Sequence, residues 1–166
     1  HVSGSEYQNF TIIKESVTCD NSLGGIGGAN SDGYLKINPS RFGKSAQKYS
    51  MSDENIELAV ALVVAHEAIH LLARKKDRDT GFTRKKDFTS ANEAMTEILA
   101  RAVGRAYSEF TNTGSREGWL YYTDYHEDIR YLLALMAIIA RDNQVSIDVV
   151  IQAFTASYFC DDTVLD

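Results

Sequence analysis

Residues 56–73 read IELAVALVVAHEAIHLLA. Apolar side chains fill nearly every position, which predicts a helix buried on most of its faces. Inside the run stand His66, Glu67 and His70, an HExxH pattern. Residues four apart on a helix project from the same side, so both imidazoles can reach one metal ion. Glu67 sits beside that ion, placed to take a proton from a metal-activated water. Two surface histidines on an ordinary amphipathic helix would give the same letters by accident. The apolar flanks argue against that reading, because burying three such groups without partners costs on the order of 2 kcal/mol or more each. A metal and its water supply the partners. The pattern reads as a zinc hydrolase site, of the kind most often found in peptidases.

Catalytic zinc takes three protein ligands and leaves a fourth position to water. The third ligand should lie downstream, on an element packed against the first helix. Residues 90–101, SANEAMTEILAR, supply the candidate. Glu93 and Glu97 share a helix face. Glu93 can ligate the ion, and Glu97 can accept the outer N–H of a ligand histidine, which fixes its tautomer. A competing reading makes Ser90 and Glu93 a capping box and pairs Glu97 with Arg101.

The two segments together resemble the gluzincin clan of zinc metallopeptidases. HEAIH is followed, after twenty-two residues, by Glu93 within Asn92-Glu-Ala-Met-Thr-Glu97. That clan joins HExxH to a downstream NExxxD or NExxxE helix. The likeness is nearest to small bacterial domains whose second motif runs N-E-x-x-T-E, and it covers about Ile56 to Arg101. It implies one zinc per chain held by His66, His70 and Glu93. It further implies Glu67 as general base, Glu97 as the carboxylate behind a ligand histidine, and a zincin-like fold. The metzincin continuation is absent, since Leu71 to Arg84 contains no histidine.

Composition is that of a globular protein of 166 residues, 44% hydrophobic and 24% charged, long enough for a single domain spanning the whole chain. No stretch of eighteen uncharged apolar residues occurs, so no membrane span is predicted. Net charge of −6 disfavours nucleic acid as a partner. Residues 74–86, RKKDRDTGFTRKK, depart from this with seven basic residues against two aspartates. They read as a solvated loop or as a basic rim for an acidic partner. Cys19 and Cys160 either bridge the two ends of the chain, as an oxidising compartment would allow, or are separate thiols. A start at His1 without Met suggests a processed or trimmed chain, and a secreted or cell-envelope setting is expected over a cytoplasmic one. Oligomeric state leaves no mark in the sequence.

Residues 1–5 read as frayed, and Tyr7 to Thr18 as a strand. Leu23 to Gly33 contains five glycines and reads as a flexible turn near the cleft. Tyr34-Leu35-Lys36-Ile37 alternates and stops at Pro39, so it reads as a short edge strand. In zincins such a strand lies along the cleft, and the resemblance implies that these four residues bind substrate backbone by strand addition. Ser52 or Asp53 caps the HExxH helix. Further helices are predicted over about Ser90–Phe110, Asp124–Arg141 and Ile147–Tyr158, the last capped by Ser146. The fold class is α+β, mostly helical, with a small N-terminal sheet.

Residues 119–126, WLYYTDYH, concentrate three tyrosines and a histidine after the second motif. An oxyanion formed by water attack needs a donor opposite the metal. Tyr125 ranks first for that role, Tyr122 second and His126 third; core filling is the other use for such aromatics. The resemblance favours Tyr125, since those small domains carry a tyrosine followed by an acid-aliphatic pair at this point. The expectation is a peptidase acting on peptides or proteins, as an endopeptidase. A catalytically silent zinc module is the alternative, as is a zinc hydrolase of a non-peptide amide or cell-wall bond. Intact Glu67 counts against the silent module, because a structural site has no use for a base.

Overall fold

The computed structural model describes residues 17–29, 34–73, 81–82, 88–111 and 125–159. Residues 1–16, Tyr122, Cys160 and most of the basic segment 74–86 lie outside them. Among the described residues the chain is α+β and mostly helical. Three short strands come first: β1 (Val17–Cys19), β2 (Gly27–Ala29) and β3 (Leu35–Ile37). Five helices follow: α1 (Pro39–Lys48), α2 (Asp53–Leu72), α3 (Thr89–Thr111), α4 (His126–Asp142) and α5 (Ile147–Phe159).

The sheet order is β1-β3-β2, with β1 parallel and β2 antiparallel to β3. β3 is therefore the central strand, not the edge that its alternation and following proline suggested. Leu35 is buried, and Lys36 pairs with Asp20 at 2.9 Å. The glycine-rich segment contains β2, whose Gly-Gly-Ala sequence gave no strand signal. Asn38 ties this region together. Its side chain accepts from the Arg41 N–H at 3.0 Å, capping α1, and its Nδ2 donates to the carbonyls of Asn21 and Leu23. Pro39 then occupies the first turn, where its missing N–H costs nothing.

α2 starts at the Ser52 cap, whose hydroxyl accepts from the Asn55 N–H at 3.3 Å. Its 20 residues are apolar enough to cross a membrane by length and composition alone. Here the helix lies between the sheet and α3 and carries the HExxH residues. On the sheet side a small core joins Phe42 and Ala46 of α1 to Ala59. On the other side Ile69 packs with Ala94, Met95, Ile129, Leu132, Met136, Val150 and Tyr158 of α3, α4 and α5. Gly104 brings α3 close: a Cβ there would stand 2.4 Å from Leu62 Cδ2.

Candidate metal centre

α2 turns His66 and His70 the same way, and α3 presents Glu93 and Glu97 towards them. His66 Nε2 and His70 Nε2 stand 3.1 Å apart. Glu93 Oε2 lies 3.2 Å from the first and 3.3 Å from the second. Thr89 already begins α3, so Ser90 is not its N-cap and the capping-box reading fails. The Glu97–Arg101 pair does form, at 3.1 Å, alongside the contact with His66. His66, His70 and Glu93 can thus hold a metal ion.

The protons can be placed by elimination. An ionised carboxylate only accepts. His66 Nδ1, 3.0 Å from Glu97 Oε2, therefore carries a proton and donates it. The second oxygen of Glu97 accepts from Arg101 Nε. Thr96 spends its own hydroxyl proton on the Asn92 carbonyl at 2.8 Å. Its oxygen is left to accept, from the Tyr158 hydroxyl and, at a longer 3.4 Å, from His70 Nδ1–H. Both histidines are thereby set with the Nε2 lone pair facing Glu93. Three electron-rich atoms converging in a largely buried place repel one another unless a cation lies among them, and this donor set fits a metal ion.

A proton shows the same demand in the metal-free chain. Burial opposes charge on His66, but hydrogen bonds to Glu93 and Glu97 outweigh it and carry the pKa from 6.5 up to about 9. Burial likewise opposes charge on Glu93, and its bonds to His66 and His70 win, bringing it down to about 2. Glu67 goes the other way. Burial raises its pKa above the usual carboxylate value, and the neighbouring histidines offset this only in part.

A cavity of about 510 Å3 opens against His66 and Glu67. Gly24, Gly25, Ile26 and Gly27 form one wall, and α1 contributes Arg41, Lys44, Ser45 and Lys48. Gly27 presses on the base itself, since a Cβ there would fall 2.6 Å from Glu67 Oε1 and 2.7 Å from Val63 Cγ1. Tyr125 also lines the cavity, its ring stacked on His66 at 5.8 Å between centroids and 10° between planes. His126 does not line it and is exposed. Tyr125 and His126 are successive residues at the start of α4, and neighbours in sequence do not face the same way there. The structure thus does not bring His126 to the cavity.

Nor does it bring Tyr34, Leu35, Lys36 and Ile37 there. β3 has a strand on each side, so it has no edge to offer, and none of the four lines the cavity. Among the described residues the edge beside the cavity belongs to β2. Sequence reasoning also passed over Thr96 and Tyr158, which support His70. Thr96 lies inside the recognised motif, whereas Tyr158 carries no local signal at all. No family model, curated protein or solved structure matches the chain.

Proposed function

We propose that this chain is a zinc-dependent peptidase of gluzincin type, cleaving within extended polypeptide segments. The observation that carries the reading is the triangle of donor atoms, with sides of 3.1, 3.2 and 3.3 Å, beside the half-buried Glu67. Ligands about 2.0–2.1 Å from a tetrahedral zinc stand about 3.3–3.4 Å from one another. Two imidazoles, one carboxylate and a fourth position open to water form the donor set of a catalytic site, not a structural one. When bound there, zinc supplies a Lewis acid that lowers the pKa of water and polarises a carbonyl.

The chain's own residues do the rest. Glu67 takes a proton from the attacking water and returns it to the leaving amine nitrogen. Burial makes its carboxylate a stronger base than a solvated one, so it holds that proton more readily between the two steps. Gly27, lacking a side chain, leaves the carboxylate room on the cleft side. Tyr125, whose ring lies on the cavity wall against His66, is the proposed donor to the developing oxyanion. The edge of β2 accepts the substrate backbone as an added strand. An added strand is gripped along its length and not by a terminus, which favours internal cleavage.

Elemental analysis of protein purified without added metal, paired with a peptide-library digest, tests this. One zinc per chain and cleavage are expected. Glu67→Gln should keep the zinc and lose turnover by about 10²–10⁴-fold, the range for a general base. Activity should fall on acidification with a limb above the ordinary carboxylate pKa, because Glu67 must be unprotonated to act. A chain that takes up no zinc, or a Glu67→Gln variant as active as its parent, overturns the proposal.

A further inference from the structure

α1 carries all its charges along one side of the cavity. Phe42 and Ala46 are buried and hold the helix on the molecule. Ser40, Gly43 and Gln47 are exposed and stay outside the cavity lining; all three are uncharged. Arg41, Lys44 and Lys48 carry every charge on the helix, and all three line the cavity. The spacings of three and four put them on one face. The three cations are exposed and border the cleft together, in a chain whose net charge is −6.

Among the described residues no carboxylate in the cleft neutralises that wall. The carboxylates lining the cavity among the described residues are Glu67 and Glu97. Glu67 lies at the metal end, and Glu97 is committed to His66 and Arg101. Among the described residues Arg41, Lys44 and Lys48 have no carboxylate partner, and Lys48 sits over the Tyr49 ring at 4.9 Å. Long flexible cations on one wall of a concave site raise the local concentration of anionic ligands.

We infer that Arg41, Lys44 and Lys48 form a subsite for acidic side chains on one side of the scissile bond, so that the preferred substrates are Asp- and Glu-rich segments. The inference rests on the peptidase reading for its substrate, but binding tests it without turnover. The probe is a set of fluorescently labelled ten-residue peptides, acidic, neutral and basic, titrated into the zinc-loaded Glu67→Gln chain. The acidic peptide should bind on the order of tenfold more tightly than the neutral one at low salt. That advantage should shrink steeply as ionic strength shortens the screening length. It should vanish or invert when Arg41→Glu, Lys44→Glu and Lys48→Glu are combined, with zinc content confirming that the variant is folded.

Equal binding of acidic and neutral peptides overturns the inference. So does an acidic preference that survives the charge reversal, which would place its origin elsewhere on the chain. Digestion of matched cleavable peptides by the unsubstituted chain is scored separately. Absence of any cleavage with zinc bound would remove the peptidase reading, while the binding titration would still decide the subsite.

Discussion

The two histidines of the centre stand one turn apart on α2, yet different parts of the chain hold them from behind. His66 is braced within α3 by an ionic relay: its Nδ1–H donates to Glu97, which is fixed by Arg101 one turn further along. His70 is braced by neutral hydroxyls: Thr96 of α3 and, through it, Tyr158 of α5. The first brace is local and charged. The second is long-range and uncharged, and it couples α5 to the centre. A carboxylate behind an imidazole raises its basicity, whereas a hydroxyl chiefly orients it. Loss of the ionic brace should therefore weaken the metal more, and loss of the hydroxyl brace should weaken the fold more.

Removing the atom both sides share is the most severe change. Glu93→Ala deletes the one oxygen that faces both Nε2 atoms and leaves two ligands. Metal affinity should drop by more than about 100-fold, beyond what the loss of a supporting residue produces. Competition with a chromophoric chelator measures it. Retention of tight metal by this variant would remove Glu93 as a ligand and the difference between the braces with it.

Next comes the ionic side. Glu97→Gln keeps an oxygen that can accept from His66 but removes the charge. A loss of about tenfold in metal affinity is expected, and Glu97→Ala should approach 100-fold. Melting curves in chelator probe the same brace through pH. In the metal-free chain the folded pKa of His66 is about 9 against 6.5, so its stabilising contribution is complete below pH 6.5 and is lost as pH rises through 9. Glu93, lowered from 4.5 to about 2, contributes fully above 4.5 and loses its part only as pH falls towards 2. The melting temperature of the metal-free chain should thus decline between pH 6.5 and 9, and Glu97→Gln should flatten that decline. With metal bound the proton on Nε2 is displaced, and the decline should disappear. An unchanged slope in Glu97→Gln would show that Glu97 does not support the charge on His66.

What the sequence disclosed follows the same division. His66 with His70, Glu93 with Glu97, and Glu97 with Arg101 are pairs four apart on helices, so spacing alone puts them on one face. Four predicted elements, α2 to α5, carried a helical apolar period or a cap and were legible to within a few residues. α1 was not, because only Phe42 and Ala46 mark its apolar face and Gly43 interrupts it. β2 was not, because Gly-Gly-Ala has no side-chain pattern and its strand state comes from pairing with β3. The edge assigned to β3 failed for the same reason, since strand order is decided by partners far away in sequence. Tyr158 is 62 residues from Thr96, and no period or motif joins them. A contact made only by tertiary packing leaves no local signature.

The hydroxyl brace provides the finest discrimination. In Thr96→Val the shape is kept and the oxygen is lost, leaving the Tyr158 hydroxyl and His70 Nδ1–H without an acceptor in a buried place. An unpaired buried donor costs about 1–3 kcal/mol, so this variant should melt clearly lower. Tyr158→Phe is milder. Thr96 still donates to the Asn92 carbonyl and still accepts from His70, and only one lone pair loses its partner. The expected loss is about 0.5–1.5 kcal/mol of stability, the net worth of a single hydrogen bond. Metal affinity should move by no more than a few-fold, since His70 keeps its immediate neighbour. Chelator competition and thermal melts on the same preparations separate the two quantities. If Tyr158→Phe weakened metal as much as Glu97→Gln, the hydroxyl chain would be tuning the ligand and not merely orienting it. The contrast between a charged brace that sets affinity and a neutral one that sets stability would then collapse.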